Sequence, residues 1–176
     1  APYVEERPVN PISAYGLSKH TFEKYLIMMA KEWDYTYTIL RLANVCGPRN
    51  KKGVISIFEN LMDNNESIVV NGGDQTRDYV HVFDVVSAID CVADNSSAMN
   101  EIFNVGTGIE TSLNELVELL KLKYPDWRGS LMQGGYKAGE VMRSSVDAYK
   151  LRSLGWRPSF ETAKDIINFD LEKLKK

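Results

Sequence analysis

Cysteine and histidine are scarce in this chain of 176 residues: Cys46, Cys91, His20 and His81 are all it has. Two isolated cysteines at no zinc spacing make neither a disulfide framework nor a metal site, and they read as small buried hydrophobes in a reducing compartment. Two histidines without a carboxylate or cysteine at ligand spacing do not make a metal site either. No apolar run approaches the roughly 18 residues of a membrane span, and no segment has the pattern of a signal peptide. A cytoplasmic protein is therefore expected. Excess positive charge is also missing. Lysine and arginine number 21 against 24 aspartates and glutamates, with the signs mixed along the chain. A nucleic-acid partner, which needs a basic face, is not expected, whereas two or three local cations suffice for a diphosphate.

What is present is ordinary for a globular protein, with 44% hydrophobic and 26% charged residues. A chain of this length forms one domain or one and a half, and can bury about 70% of its unfolded surface.

Residues 1–12 carry Pro2, Pro8 and Pro11 and read as an extended lead-in. Ser13 is a candidate N-cap for a helix running to about Trp33, on which Phe22, Leu26, Met29 and Trp33 predict one buried face. Residues 37–42 are rich in β-formers and predict a strand. A Gly/Pro/Arg/Lys loop follows from Asn44 to Gly53, then a helix with Ile55, Phe58, Leu61 and Met62. A short strand at Ile68–Val70 closes on Asn71-Gly72-Gly73, a tight-turn sequence, and the alternation from Asp78 to Val82 suggests pairing with that strand. Asp84 is expected to cap an apolar helix, and Ile102–Val105 to form a strand ahead of a Gly-Thr-Gly loop. Ser112-Leu-Asn-Glu115 has the form of a capping box at the start of a helix ended by Pro125. The stretch 127–145 is irregular, with one strand at Leu131-Met132. Asp147 is expected to cap a short helix ended by Gly155, and Ser159 to open the last helix. The pattern is α/β without regular βα alternation, so a second, irregular lobe is expected.

The segments that carry chemistry begin with Tyr15-Gly-Leu-Ser-Lys19. A Tyr and a Lys four apart share a helix face, and an ammonium near a phenol favours the phenolate, which can act as a base. Alone the pattern is weak. Its context is Asn10-Pro-Ile-Ser-Ala-Tyr-Gly-Leu-Ser-Lys19, then Leu40-Arg-Leu-Ala-Asn-Val-Cys-Gly-Pro-Arg49. Gly72-Gly-Asp-Gln-Thr-Arg-Asp-Tyr-Val-His-Val-Phe-Asp84, Phe103-Asn-Val-Gly-Thr-Gly108 and Asp147…Leu154-Gly-Trp156 follow in order. At these residues the chain resembles the extended short-chain dehydrogenase/reductase family, specifically its NAD-dependent sugar-nucleotide epimerases and dehydratases, and the resemblance covers nearly the whole chain.

The resemblance implies the C-terminal part of such an enzyme. Residues 1–50 would be a remnant of a Rossmann-like doubly wound domain, with the Tyr helix and the strand after it. Residues 51–176 would be mainly a smaller, irregular α/β lobe that binds a nucleotide sugar, with segments returning to the Rossmann part. The family's Gly-rich pyrophosphate turn and a substrate-bonding Ser or Thr would lie upstream of Ala1.

The resemblance also implies roles. Tyr15 would be the general base that takes a sugar hydroxyl proton, and Lys19 would assist it and hold the nicotinamide ribose of NAD, with Leu42 a further cofactor contact. Asn44 would touch the substrate's phosphate or sugar, or serve as a turn-former. Arg77 would grip the diphosphate, unless Asp78 beside it forms a structural pair. Lys137-Ala-Gly-Glu140 matches the family's Arg-x-Gly-Asp with both charged residues changed, so Lys137 is a weaker candidate for the second diphosphate cation and Arg143 a substitute. The Gly-Thr-Gly loop would be a structural turn near the lobe junction.

The implied function is the substrate-binding part of an NAD-dependent epimerase, first of all a UDP-hexose 4-epimerase working through a 4-keto sugar, and expected to be inactive as an isolated chain. A dehydratase or reductase acting on another nucleoside-diphosphate sugar is the alternative within the family. A non-catalytic nucleotide-sugar-binding module, or half of a split protein, is the alternative outside it. Expected partners are the nucleotide sugar, and either a missing N-terminal half or a second copy docked through the Tyr helix, whose Met28, Met29 and Trp33 would supply the surface.

Overall fold

The computed structural model describes residues 1–136 and 139–169. The chain begins extended, with Tyr3 bridging Val146, and turns into α1 (Ala14–Trp33). Ser13 caps α1 as its sequence predicts, its hydroxyl accepting from the Gly16 N–H at 3.0 Å. The apolar face expected on this helix is not buried: Phe22 is 62% and Trp33 67% exposed, and only Ala30 is buried. Helical periodicity marks a face as apolar; it does not supply the layer that would cover it.

β1 (Thr38–Leu42) and β2 (Asn44–Cys46) follow, then α2 (Val54–Asp63). α2 buries Ile55, Phe58 and Met62, spaced three and four apart on one face. β3 (Ile68–Asn71), β4 (Thr76–His81), α3 (Val82–Ala93), β5 (Glu101–Val105) and β6 (Glu110–Ser112) come next. α4 (Leu113–Lys123), β7 (Leu131–Gly134), α5 (Tyr149–Ser153) and α6 (Ala163–Ile167) complete the described elements.

The strands form three small sheets. β1 pairs with β5 in parallel, setting Leu40 opposite Phe103 and Arg41 opposite Asn104. β4 lies between β2, parallel to it, and β6, antiparallel. β3 pairs in parallel with β7, not with β4 as the alternation from Asp78 suggested. Asp78, Tyr79, Val80 and His81 are all buried, so β4 is covered on both faces rather than alternating, and the residues between β3 and β4 carry the chain from one sheet to another. This is a mixed α/β fold with parallel pairing, as the sequence leads one to expect.

Two hydrophobic clusters hold the elements. One gathers Val80, Val85, Ala88, Val92, Phe103, Val105, Leu151 and Trp156, with Leu40 and Ala43 against it. The other gathers Ile55, Phe58, Met62, Ile68, Val70, Leu116, Leu120 and Ile166. β4 feeds both clusters, since Tyr79 packs in one and Val80 in the other.

Several caps differ from expectation. α3 is capped by His81, whose Nδ1 accepts from the Phe83 N–H at 3.3 Å. Asp84 is buried in the first turn and accepts instead from the N–H groups of Ser159 and Phe160, at 2.7 and 3.1 Å. α6 is opened by Thr162 and Asp165, a complete capping box, rather than by Ser159. At α4 only the Ser112 half of the box forms, its hydroxyl accepting from the Glu115 N–H. Asp147 accepts from the Tyr149 N–H but stands one residue before the cap of α5, which is Ala148. In each case a short polar side chain found a backbone donor, as its chemistry requires; only the identity of the donor escaped the pattern.

Candidate functional site

Two neighbouring grooves collect most of the residues singled out by sequence. The first lies between α1 and β1, has a volume of about 490 Å³ and is lined by Tyr15, Lys19, Leu26, Arg41 and Leu42 among others. Tyr15 is in the first turn of α1 and 71% exposed. Lys19 stands one turn on, its Nζ 5.4 Å from the centre of the Tyr15 ring. The helix thus presents a phenol and an ammonium to the same space, with the apolar, exposed Leu42 beyond them. Glu23, on the next turn, is taken up by Arg41: Nε and Nη2 donate to its two oxygens at 2.9 and 2.8 Å. That fork ties α1 to β1 and holds the Glu23 carboxyl below its ordinary range, burial opposing the hydrogen bond and charge of Arg41. It also occupies the carboxylate that, among the described residues lining this groove, would compete for Lys19.

The second groove, of about 590 Å³, runs between α2, β3 and β4. Asn44, Lys52, Asn71, Arg77, Tyr79 and Glu140 bring its polar groups, and Val54, Ile57, Leu61 and Val69 its apolar wall. Asn44 and Arg77, 33 positions apart in sequence, reach it because β2 and β4 pair in register, Asn44 opposite Tyr79. The Arg77 guanidinium is anchored: Nη1 donates to the carbonyls of Thr76 and Val141, at 2.8 and 2.7 Å, and Nη2 donates to Glu140 Oε1 at 2.9 Å. Burial pushes the Tyr79 phenol up to about 12, so it is a neutral donor here.

The pairing weighed for Asp78 and Arg77 does not occur. Asp78 is buried and accepts from Thr107 N and Oγ1, Gly108 N and Val146 N, at 3.0, 2.8, 3.0 and 3.3 Å. The Gly-Thr-Gly loop is therefore wrapped on a carboxylate. Gly106 permits it, since a Cβ there would stand 2.6 Å from Asp78 Oδ2.

Arg143 is not brought to either groove. It is held at the surface by Glu110, which accepts from Arg143 Nε at 2.9 Å and Nη2 at 3.2 Å, and also from the hydroxyls of Thr76 and Ser145. Those donors, Arg143 first, hold the Glu110 carboxyl down at about 2. The reading of Arg143 as a substitute diphosphate cation is thus corrected by its place: it lines neither groove, and Glu110 holds its guanidinium at the surface. Lys137 lies outside the described residues. Glu140 is the residue that motif reading passed over. It was visible only as a departure from Arg-x-Gly-Asp, whereas its carboxylate meets Arg77 in the second groove.

The chemistry of the first groove fits one end of NAD. A phenol and an ammonium can bond ribose hydroxyls, and an exposed leucine can face an aromatic ring. No glycine-rich turn from strand to helix N-terminus stands among the described residues. Parallel strands, a Tyr-x3-Lys helix face in one groove and an arginine in an adjoining one characterise this α/β protein.

The comparisons make that class definite. The chain belongs to the NAD dependent epimerase/dehydratase family, whose family model matches residues 1–106. It is 42% identical to a provisionally named UDP-glucose 4-epimerase of Methanocaldococcus jannaschii, over 96% of this chain and 56% of the relative. The structure superposes with a TM-score of 0.89 on the UDP-glucose 4-epimerase of Thermotoga maritima solved with UDP-glucose, at 35% identity, covering 99% of this chain and 57% of that one. The Thermus thermophilus UDP-glucose 4-epimerase solved with NAD gives 0.87 at 25% identity, covering 99% and 58%. The chain spans about half the length of the relatives it matches, and NAD is the cofactor of the family.

Proposed function

We propose that this chain is the nucleotide-sugar-binding part of an NAD-dependent 4-epimerase acting on a UDP-hexose. The observation that carries the reading is the sharing of one strand path by two grooves. Leu42 ends β1 in the groove of Tyr15 and Lys19, and two residues on Asn44 opens β2 in the groove of Arg77. A nucleotide diphosphate in the second groove would thus direct its sugar toward the first.

In that arrangement Arg77 meets the diphosphate, a guanidinium matching phosphate oxygens bidentately. Asn44 contacts the phosphate or the sugar. The apolar wall of Ile57, Leu61 and Val69 shields the ligand from water. Tyr15 takes the proton of the sugar hydroxyl at its phenolic oxygen and returns it later, a transfer that contributes about 10²–10⁴-fold. Lys19, whose Nζ lies 5.4 Å from the centre of the Tyr15 ring, assists that transfer and holds ribose hydroxyls, and Leu42 packs at the cofactor's edge. NAD, when bound, supplies a hydride acceptor and donor. Full epimerisation needs more than these residues, namely a pyrophosphate cradle and a hydroxyl donor to the substrate, so the chain by itself binds without turnover.

Titration calorimetry of the purified chain with UDP-glucose, dTDP-glucose and NAD tests this. Binding of the UDP-sugar without NAD is the expected result. Preference for dTDP-glucose would move the reading to the dehydratases or reductases of the family, and silence toward every nucleotide sugar would overturn it. Steady epimerisation by the chain would overturn its inactivity.

A further inference from the structure

We propose that Glu140 is a positioning residue for Arg77: its carboxylate, brought from the segment after β7, fixes the guanidinium in the orientation that meets a diphosphate. The inference rests on the nucleotide-sugar reading of the second groove and adds to it a residue whose effect is exerted through Arg77.

A free arginine carries substantial rotamer entropy, which a ligand would have to remove on binding. Here most of that freedom is gone before any ligand arrives. The Arg77 and Glu140 side chains are only 22% and 18% exposed and meet at 2.9 Å. The Thr76 and Val141 carbonyls hold Nη1 from the other side, at 2.8 and 2.7 Å. Three acceptors leave part of a five-donor group free for phosphate oxygens.

The carboxylate also offsets the cost of holding a guanidinium largely out of water, which backbone carbonyls alone meet only in part. The segment that carries Glu140 is itself fixed on β4, since the Thr76 N–H donates to the Met142 carbonyl at 2.8 Å. Backbone and side chain thus present Glu140 to Arg77 as one unit.

The test measures binding of UDP and of uridine to the full chain, for wild type, Glu140→Ala, Glu140→Gln, Arg77→Ala and the Arg77→Ala/Glu140→Ala pair. UDP and uridine differ by the diphosphate alone, so their affinity ratio isolates what Arg77 contributes. Glu140→Ala is expected to lower UDP affinity about tenfold and leave uridine unchanged, a loss on the scale of one charge-assisted hydrogen bond. Glu140→Gln, which keeps an acceptor oxygen, restores most of the affinity. The double variant binds UDP no worse than Arg77→Ala, because Glu140 has no role once Arg77 is gone. Equal weakening of UDP and uridine would mean that Glu140 touches the nucleoside or merely supports the fold, and would overturn the assignment. Unchanged UDP binding in Glu140→Ala would overturn it as well. If the wild-type chain binds no UDP, the nucleotide reading itself fails and takes the assignment with it, a result distinct from the other two.

Discussion

Asp78 Oδ1 accepts two hydrogen bonds from Thr107, from its N–H at 3.0 Å and its hydroxyl at 2.8 Å, and so fastens the loop after β5 to the middle of β4. Gly108 and Val146 donate to the other oxygen, so one buried side chain satisfies three backbone N–H groups. Removing the carboxylate leaves those donors without partners, at about 1–3 kcal/mol for each that water does not reach. Asp78→Ala is expected to destabilise the chain by about 3 kcal/mol or more, read as a lower denaturant midpoint at unchanged slope. A loss under about 1 kcal/mol would mean that water replaces the carboxylate freely.

Phe103, on β5, is 1% exposed, with Leu151 and Trp156 as neighbours in its cluster. Phe103→Ala should cost about 3–5 kcal/mol, the range for a large aromatic side chain removed from a core that relaxes incompletely. Phe22→Ala on α1, where the ring is largely exposed, should change stability by less than about 0.5 kcal/mol. Thermal denaturation of the two variants side by side separates a buried aromatic from an exposed one. Equal losses would show that the α1 face is covered in solution.

These two phenylalanines mark how far the sequence could be read. Phe103 sits in a β-branched and aromatic run that predicts a buried strand, and it is one. Phe22 sits on an apolar helical stripe that predicts burial with equal force, and it is not, because periodicity records the chemistry of one face and says nothing of the layer opposite. The site divides in the same way. Tyr15, Lys19, Asn44 and Arg77, which line the two grooves, could be singled out because their motifs are local, each confined to a few consecutive residues. The fates of Asp78, Arg143 and Glu140 depended on partners 29, 33 and 63 positions away, and no local pattern specifies pairing at that range. The pairing of β3 with β7 instead of β4 was hidden for the same reason.

Acid should weaken the fold in two limbs. His81 is fully buried against Phe83, Phe160 and Phe169, and burial lowers its pKa from 6.5, the nearby Asp84 carboxylate opposing. The unfolded chain then takes up the proton more readily than the folded one, so stability is lost as pH falls below about 6.5. Glu110, held at about 2, contributes stability that is fully present above its ordinary value of 4.5 and is lost as pH falls toward 2. Glu23, also lowered, adds to this lower limb. Glu110→Gln is expected to shrink the lower limb and leave the upper one intact. Urea midpoints measured from pH 8 to pH 3 check this, and an upper limb altered by Glu110→Gln would contradict the assignment.

Burial also pushes the Cys46 thiol up to about 12, and its Sγ faces the Val80 carbonyl at 3.4 Å. The thiolate is the reactive form, so in the folded chain at pH 8 Cys46 should be labelled by a thiol reagent no faster than the protein unfolds. Labelling at the rate of a free thiol would mean that β2 opens locally.

Tyr15 allows the two grooves to be separated. Its ring is 71% exposed at the start of α1 and lines the groove of Lys19 and Leu42, whereas Arg77 lines the other. Tyr15→Phe removes one exposed hydroxyl and should leave stability within about 0.5 kcal/mol of wild type. Binding of a UDP-sugar should also be retained, because on the proposed reading the affinity would come mainly from the nucleotide and its diphosphate in the second groove. Arg77→Ala should weaken the same binding about tenfold or more through the lost charge-assisted contact with phosphate. Calorimetric titration of the two variants against one UDP-sugar gives the comparison. Equal weakening by both would show that the nucleotide bridges the grooves and that Tyr15 binds as well as reacts. Retention in Tyr15→Phe with loss in Arg77→Ala assigns binding to the second groove and leaves proton transfer as the role of the first.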